Sequence, residues 1–232
     1  VTGFAGRTAF LDLGGRQTSH SGDRREFIGR NGDIGDPLAM ASQAPLSNRV
    51  GAGLDPCGAM QTQIELADGA SIEILCLVGE TAGDDAARTL IERYRTADLD
   101  AVLAEVTDDW AEVLGAVNVT TPDRSLDIML NGWLLYQTLA CRIRARAGFY
   151  QASGAYGFRD QLQDVMALAT VRPAIARTQI VRAAGRQFIE GDVQHWWLPQ
   201  AGNGVRTRFA DDRVWLALVT AHYLAVTGDV AI

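Results

Sequence analysis

The sequence is poor in the residues from which metal centres and disulfide frameworks are built. It contains only three cysteines and three histidines in 232 residues. Cys57, Cys76 and Cys141 are far apart and form no CxxC pair, and the histidines lack the spacing of metal ligands. We therefore expect free thiols, no metal site and no other cofactor. Metal catalysis and a disulfide-stabilised secreted domain are both disfavoured.

Positive charge and long apolar runs are scarce as well. The net charge is −7, whereas a nucleic-acid groove requires a basic surface. No apolar run approaches the roughly 20 residues that span a bilayer, and the N-terminus lacks the charged and apolar regions of a signal peptide. These absences predict a cytoplasmic domain with no nucleic-acid partner and no direct membrane contact. Because the first residue is Val1, we expect the chain to be an internal part of a longer protein.

The N-terminal part of the chain has the pattern of short strands separated by turns. Residues 60–66 and 71–78 alternate or run apolar on either side of Asp68 and Gly69, which predicts a β-hairpin. Residues 8–13 and 26–29 resemble shorter strands. Several short strands with turn signals between them predict part of an antiparallel β-sandwich over residues 1–83.

The spacing of apolar residues becomes helical near residue 84. Residues 84–96 and 98–114 have this spacing and acidic N-termini, so we expect linker helices over residues 84–118. Thr121, Pro122 and Asp123 then predict the capped start of another helix.

Long helices and loops alternate from residue 119 to residue 232. The apolar helix predicted at residues 126–144 should be deeply packed, because it is apolar on more than one face. We predict further helices at residues 161–171, 173–189 and 211–226, with a loop at residues 190–209 before the last. The predicted fold class is therefore a partial β-sandwich plus all-α, the second part being the beginning of an α/α barrel with too few helices to close.

Polar and aromatic residues are concentrated at the start of one predicted helix, within YQASGAYGFRDQLQD at residues 150–164. Asp160 is placed to cap this helix or to line a cavity, and Arg159 offers a fork of N–H donors suited to vicinal hydroxyls or phosphate. Asp164 and Gln163 share a helical face with Asp160, so both are candidate sugar ligands. A structural Arg159–Asp164 ion pair is the alternative.

A second polar and aromatic block occupies residues 192–215. Trp196 and Trp197 are adjacent, so we expect one in the core and one as a platform for a sugar ring. A cluster of charged residues follows, and it fits either sugar recognition or a solvated salt-bridge network. The substrate-binding candidates in this block are Trp196, Arg206, Asp211 and Asp212, and Arg208 belongs to the same charged cluster.

Two long motifs closely resemble the phosphorylase-like region of cyclic β-1,2-glucan synthases. They read YQASGAYGFRDQLQDVMAL at residues 150–168 and GDVQHWWLPQAGNGVRTRFADDRVWL at residues 191–216. Residues 29–32, 50–57 and 131–142 look similar too, so the resemblance covers nearly the whole chain. The wider family is that of the cellobiose and chitobiose phosphorylases, also called glycosyltransferase family 36.

This resemblance implies an N-terminal β-sandwich, linker helices and an (α/α)6 barrel. It also implies an inverting phosphorolysis, in which inorganic phosphate attacks a β-linked terminal glucosyl unit and releases α-glucose 1-phosphate. By resemblance, Arg159 and Asp164 belong to an FRDxxQD-type motif that holds the donor sugar. The implied partners are a β-glucan oligosaccharide and inorganic phosphate as co-substrate, with homodimer formation left open. A synthase parent would be tethered to the inner membrane through segments outside this chain.

The chain departs from the family pattern in one important respect. The family's general acid lies in a tryptophan-asparagine-aspartate motif that this sequence lacks, and Asp108, Asp109 and Trp110 form only a decoy in a predicted linker helix. We therefore expect the acid downstream of Ile232, no catalytic residue in this chain, and no turnover by the chain alone. A non-catalytic β-glucan-binding module and a glycoside hydrolase on the same barrel are the alternatives.

Overall fold

The structure, a computed structural model, describes residues 5–42, 44–147 and 153–232. It divides into two compact units, Ala5–Leu99 and Asp100–Ile232, so the boundary lies at the start of the second of the two helices assigned to a linker from the sequence. The strands are β1 Arg7–Asp12, β2 Ser19–Asp23, β3 Pro56–Gln61, β4 Leu77–Ala82, β5 Tyr156–Gly157, β6 Val193–Trp197 and β7 Gly204–Thr207. The α-helices are α1 Arg24–Ile28, α2 Leu38–Ala41, α3 Asp84–Arg95, α4 Leu99–Leu114, α5 Arg124–Ile128, α6 Leu134–Tyr136, α7 Phe158–Leu168, α8 Pro173–Ala184 and α9 Asp212–Thr227.

The N-terminal unit contains antiparallel strands, but they pair differently from the prediction. Strand β1 pairs with β4, and β2 pairs with β3. The hairpin predicted between residues 60–66 and 71–78 is therefore wrong. The turn itself forms, with the Ala70 amide donating to the Ala67 carbonyl at 3.0 Å. The strands beside it instead find partners far away in the chain, which local turn chemistry does not specify.

Residues 26–29, predicted as a strand, belong mostly to the short helix α1. The Asp23 carboxylate caps this helix by accepting from the Arg25 amide at 3.1 Å. Glu26 in the first turn accepts from the Ser47 amide at 2.6 Å and from the Ser21 hydroxyl at 2.5 Å. These polar contacts outweigh the short apolar pattern on which the strand prediction rested.

Helix α3 is attached to strand β1 by a buried carboxylate. Arg95 Nε donates to Asp12 Oδ2 at 3.0 Å, and the same oxygen accepts from the Gly14 amide at 2.9 Å. The Arg95 guanidinium holds the pKa of the Asp12 carboxyl below its usual value. The linker helix next to the strands is therefore part of the N-terminal unit.

The helix predicted over residues 126–144 is present but interrupted. It consists of α5, a π-helical turn at Met129–Trp133, α6 and a second π-helical segment at Gln137–Arg144. The Asn131 side-chain amide accepts from the Val119 amide at 2.7 Å and donates to the Val119 carbonyl at 2.8 Å. Asn131 and Gly132 depart from helical geometry at this point, and Gly132 has a φ of 117°, which favours glycine.

Helix α7 lies at the centre of the C-terminal unit. Phe158, Leu162 and Val165 are fully buried on one helical face and pack with residues of α8, α9 and the interrupted helix. The interrupted helix buries Leu135 and Leu139, whereas most of its other large apolar side chains are exposed. The prediction that it is deeply packed is therefore correct for one face only. The exposed apolar residues are Leu126, Ile128, Met129, Trp133, Leu134 and Tyr136.

Candidate functional site

A three-stranded antiparallel sheet forms part of the candidate site. The segment predicted as a loop at residues 190–209 is in fact a hairpin of β6 and β7, and β5 pairs with β6. One extra residue interrupts the register, because Gln194 pairs with Arg206 whereas Trp196 pairs with Val205. His195 is therefore the extra residue of a β-bulge, a feature that redirects side chains.

This sheet and the adjoining ends of α7 and α9 surround a cavity of about 970 Å³. Its lining combines two tryptophans, a histidine, an arginine, two carboxylates and a side-chain amide. Five of the eight predicted ligands are present in it: Arg159, Asp160, Gln163, Trp196 and Asp211. The other lining residues are Ser153, Gly157, His195, Leu198 and Trp215. Tyr150, Gln151 and Ala152 of the first motif lie outside the described residues.

The N-terminus of α7 places three polar side chains at this cavity. The helix begins at Phe158, and its N-cap is Gly157 rather than Asp160, so the capping alternative for Asp160 is wrong. The buried Gln161 side chain accepts from the Gly157 amide instead. Asp160 lies in the first helical turn, where the helix dipole favours a carboxylate, and it lines the cavity together with Gln163.

Among the described residues that line this cavity, Arg159 is the only arginine. Its Nη1 donates to Asp211 Oδ2 at 2.9 Å, and its Nε lies 3.6 Å from Asp160 Oδ1, which is too far for a good hydrogen bond. Asp211 raises the pKa of the guanidinium, and Arg159 in turn lowers the pKa of the Asp211 carboxyl. Both groups are therefore charged, and most of the five guanidinium donors remain available to a bound molecule.

The two adjacent tryptophans have different environments. Trp197 is 1% exposed and stacks on Tyr156 with the ring centroids 5.4 Å apart. Trp196 is 37% exposed and lines the cavity. One tryptophan therefore belongs to the core and the other offers an accessible ring, and Trp215 adds a second ring from α9.

Two of the predicted ligands, Asp212 and Asp164, are not among the described residues that line the cavity. Asp212 is 1% exposed, and its Oδ2 lies 2.7 Å from His195 Nδ1. Asp164 Oδ2 accepts from Arg142 Nε at 2.9 Å, so the Arg159–Asp164 ion pair considered from the sequence is wrong. Burial raises the pKa of Asp164 to about 6, despite the opposing effect of Arg142.

Arg206, the eighth predicted ligand, belongs to a different cavity of about 880 Å³. Its Nε and Nη2 donate to the two oxygens of Asp192 at 2.6 and 2.8 Å, and its Nη2 also donates to Glu190 at 2.9 Å. This pairing lowers the pKa of Asp192 to about 2. The described residues that line this cavity are Glu190, Asp192, Arg206, Thr207, Arg208 and Arg213, and none of them is aromatic.

Sequence reasoning overlooked His195 and Trp215 as lining residues. Trp215 follows Asp211 by four residues and could have been placed on the same helical face. His195 could not have been found in this way, because strict alternation along a strand would direct it away from Trp196. Only the bulge brings both side chains to one cavity.

This lining has the composition that a carbohydrate requires. Tryptophan rings can cover the C–H faces of a sugar, while charged and amide groups can bind its hydroxyls. The volume is within the range of small-molecule sites. Within residues 5–42, 44–147 and 153–232, no helix has both the length and the apolar character needed to cross a membrane.

Comparison with known proteins identifies the class to which this fold and cavity belong. Residues 109–232 match the catalytic domain of the glycosyl hydrolase 94 superfamily, and residues 1–97 match the glycosyl hydrolase 94 supersandwich domain. The chain therefore belongs to the glycosyl hydrolase 94 family. The sandwich prediction for the N-terminal part is confirmed at this level, as is the resemblance to phosphorylases and glucan synthases.

The curated relatives include a synthase and several phosphorylases. The chain is 47% identical to the cyclic β-(1,2)-glucan synthase NdvB of Rhizobium meliloti (strain 1021), covering 97% of this chain and 8% of the synthase. It is 28% identical to the N,N'-diacetylchitobiose phosphorylase of Vibrio proteolyticus, over 91% of this chain and 30% of that phosphorylase. It is 29% identical to the solabiose phosphorylase of Paenibacillus borealis, over 93% of this chain and 27% of that phosphorylase. The chain thus spans less than a third of the length of each.

Proposed function

We propose that this chain forms the donor-sugar site of an inverting glycoside phosphorylase acting on β-1,2-linked glucans. The observation that carries the proposal is the cavity in which Trp196 and Trp215 accompany Arg159, Asp160 and Asp211. The 47% identity to a cyclic β-(1,2)-glucan synthase supports this linkage, and the phosphorylases among the relatives support phosphate as the co-substrate.

The proposed reaction is a single displacement at the anomeric carbon of a terminal glucosyl unit. A phosphate oxygen forms a bond to this carbon from the face opposite the β-linked oxygen, and the glycosidic bond breaks. A carboxylic acid protonates the departing oxygen, and α-glucose 1-phosphate is released. One acid is sufficient, because phosphate replaces the water that an inverting hydrolase must activate with a base.

The cavity residues have distinct roles in this proposal. Trp196 provides a ring against which the sugar packs, while Asp160 and Gln163 bind hydroxyls from the first turns of α7. Arg159 is held by Asp211 through Nη1, so its remaining donors can bind vicinal hydroxyls or the phosphate. Asp164 belongs to the same motif, and its ion pair with Arg142 supports the helix that carries these ligands.

The general acid is proposed to come from outside this chain. Asp211 is a poor acid, because its pKa is lowered by Arg159. Asp164 has a raised pKa but is not among the residues that line the cavity. The sequence also lacks the tryptophan-asparagine-aspartate motif. We therefore expect the 232 residues alone to bind sugar without turnover, as the first helices of an (α/α)6 barrel.

The decisive experiment measures products from β-1,2-linked gluco-oligosaccharides with and without inorganic phosphate. The intact protein is expected to release α-glucose 1-phosphate only when phosphate is present, and the isolated chain is expected to release none. Phosphate-independent release of glucose would instead identify a hydrolase. Binding without turnover by the intact protein would identify a glucan-binding module that sets chain length or holds product.

The cellular setting follows from the same proposal. Inorganic phosphate and glucose 1-phosphate are cytoplasmic metabolites, so the domain is proposed to act in the cytoplasm. Cys57, Cys76 and Cys141 are free thiols in the structure, which is compatible with a reducing compartment. In a synthase, attachment to the inner membrane would use segments other than this chain.

A further inference from the structure

The bulged residue of β6 presents an unused polar atom to the cavity. His195 lines the cavity, and the only hydrogen bond of its ring to the described residues is the 2.7 Å contact between Nδ1 and Asp212 Oδ2. The other ring nitrogen, Nε2, is therefore available to a molecule in the cavity. β-bulges are frequent beside functional sites, where they aim a side chain that regular alternation would direct elsewhere.

Asp212 has the features of a group retained to orient this ring. It is 1% exposed, and its Oδ1 is buried without a hydrogen-bond partner among the described residues. Its Oδ2 receives the His195 contact and a longer one, 3.4 Å, from the Thr207 hydroxyl. A buried carboxylate with an unsatisfied oxygen is costly for stability, so its presence requires another explanation.

The ring is also held from the side. Phe209 packs edge-on against His195 with the ring centroids 5.0 Å apart. Asp212 is the first residue of α9, where the helix dipole favours a negative charge. The imidazole is therefore fixed by one hydrogen bond and one aromatic contact before any ligand binds.

We propose that His195 binds a hydroxyl group of the sugar in the cavity and that Asp212 is the positioning residue that orients it. The inference rests on the proposed function, since it names a further ligand of the same donor-sugar site. It goes beyond that function because neither the charged cluster nor the motif alone assigns a role to the histidine ring.

The chemistry of the pair determines how the hydroxyl is bound. A carboxylate accepts hydrogen bonds, so Nδ1 carries the proton that faces Asp212. The other ring nitrogen, Nε2, is then the atom that forms the hydrogen bond with a sugar hydroxyl. Second residues that fix the tautomer and orientation of a histidine in this way are common at functional sites. Arg159 and Asp160 bind other hydroxyls as donor and acceptor, and His195 adds a ring nitrogen to the set.

Two substitutions separate this role from a structural one. In His195→Asn the amide can replace Nδ1 and keep the contact with Asp212, but nothing replaces Nε2. In His195→Gln the amide reaches the position of Nε2, but the contact with Asp212 is lost. The first variant therefore removes the proposed sugar contact and keeps the internal one, and the second does the reverse.

The experiment measures the affinity of the intact protein for β-1,2-linked glucotriose by calorimetry, together with thermal unfolding. Loss of one hydrogen bond of ordinary strength predicts about 2- to 10-fold weaker binding by His195→Asn, with a melting temperature close to that of the wild type. His195→Gln should bind more tightly than His195→Asn but melt at a lower temperature. Wild-type affinity in His195→Asn would overturn the proposal.

Deoxy analogues of the terminal glucose give a second readout that a structural role would not change. At the hydroxyl that His195 contacts, the deoxy sugar should bind the wild type more weakly than the parent sugar does. The His195→Asn variant should bind the deoxy sugar and the parent sugar with the same affinity. Additive losses at every position would contradict a direct contact. If the wild type fails to bind any β-1,2-glucan, the proposed function fails with it; if Arg159→Ala weakens binding and His195→Asn does not, only the role of His195 is refuted.

Discussion

The two cavities beside the β6–β7 hairpin contain similar charged residues but differ in how those charges are used. In the cavity proposed for the sugar, Arg159 donates from one nitrogen to Asp211, and tryptophan rings form part of the lining. In the other cavity, Arg206 donates from two nitrogens to Asp192 and Glu190. Its Cζ also lies 3.9 Å from the centroid of the Phe188 ring. A cluster of arginines and carboxylates therefore indicates sugar binding only where donors remain free and a ring is accessible.

The largest expected effect is the difference in stability between alanine variants of the two neighbouring tryptophans of β6. Trp197→Ala should lower the free energy of unfolding by about 3–5 kcal/mol, because the side chain is fully buried against Tyr156. Trp196→Ala should change stability far less but weaken oligosaccharide binding by about 2- to 10-fold, through loss of ring stacking. Denaturant unfolding and calorimetry on both variants test this, and equal effects on stability would refute the division into core and platform.

The two arginines provide the next test of the comparison. Arg159→Ala should reduce oligosaccharide affinity and turnover of the intact protein by about 10- to 100-fold, since hydrogen bonds from charged groups are worth about 1.5–3 kcal/mol. Arg206→Ala removes an equally charged residue from the other cavity and should leave both quantities near their wild-type values. Titration with β-1,2-linked glucotriose measures the contrast, and it would disappear if both cavities bound sugar.

A third expected effect concerns pH and the Asp164 carboxylate, which pairs with Arg142. Because the pKa of Asp164 is raised to about 6 in the folded protein, its contribution to stability is complete below about pH 4 and is lost as the pH rises through 6. The change is at most about 3 kcal/mol and is reduced by partial solvent screening. Chemical unfolding between pH 4 and 7 should show this slope in the wild type and lack it in Asp164→Asn.

Asp192 in the second cavity should show the opposite dependence of stability on pH in the same unfolding experiment. Arg206 lowers the pKa of Asp192 to about 2, so the stability from this pair is present above about pH 4 and is lost only as the pH falls towards 2. Asp192→Asn therefore serves as a control whose effect on the pH slope between 4 and 7 should be negligible. A slope of the same size and sign in both variants would show that burial of Asp164 is not its cause.

The amino-acid sequence by itself determined the local elements and the chemical character of the site. Helical spacing predicted α3, α4 and α9 to within one residue at each end, whereas α8 ends at Ala184 rather than at the predicted residue 189. Asp123, one of the three residues expected to start the next helix, caps α5. Periodicity and capping act over a few residues, so they can be read directly from the chain. The motif around Arg159 and the family to which the chain belongs were likewise evident from the sequence.

Only the tertiary structure decided which groups meet. Arg159 pairs with Asp211, 52 residues away, rather than with Asp164. Strand β4 pairs with β1 instead of forming the hairpin predicted between residues 60–66 and 71–78. Arg206 is drawn to Asp192 and so to another cavity, while a single extra residue in β6 brings His195 beside Trp196. Charges and strand edges accept several partners that look alike in sequence, and the packing of the whole unit selects among them.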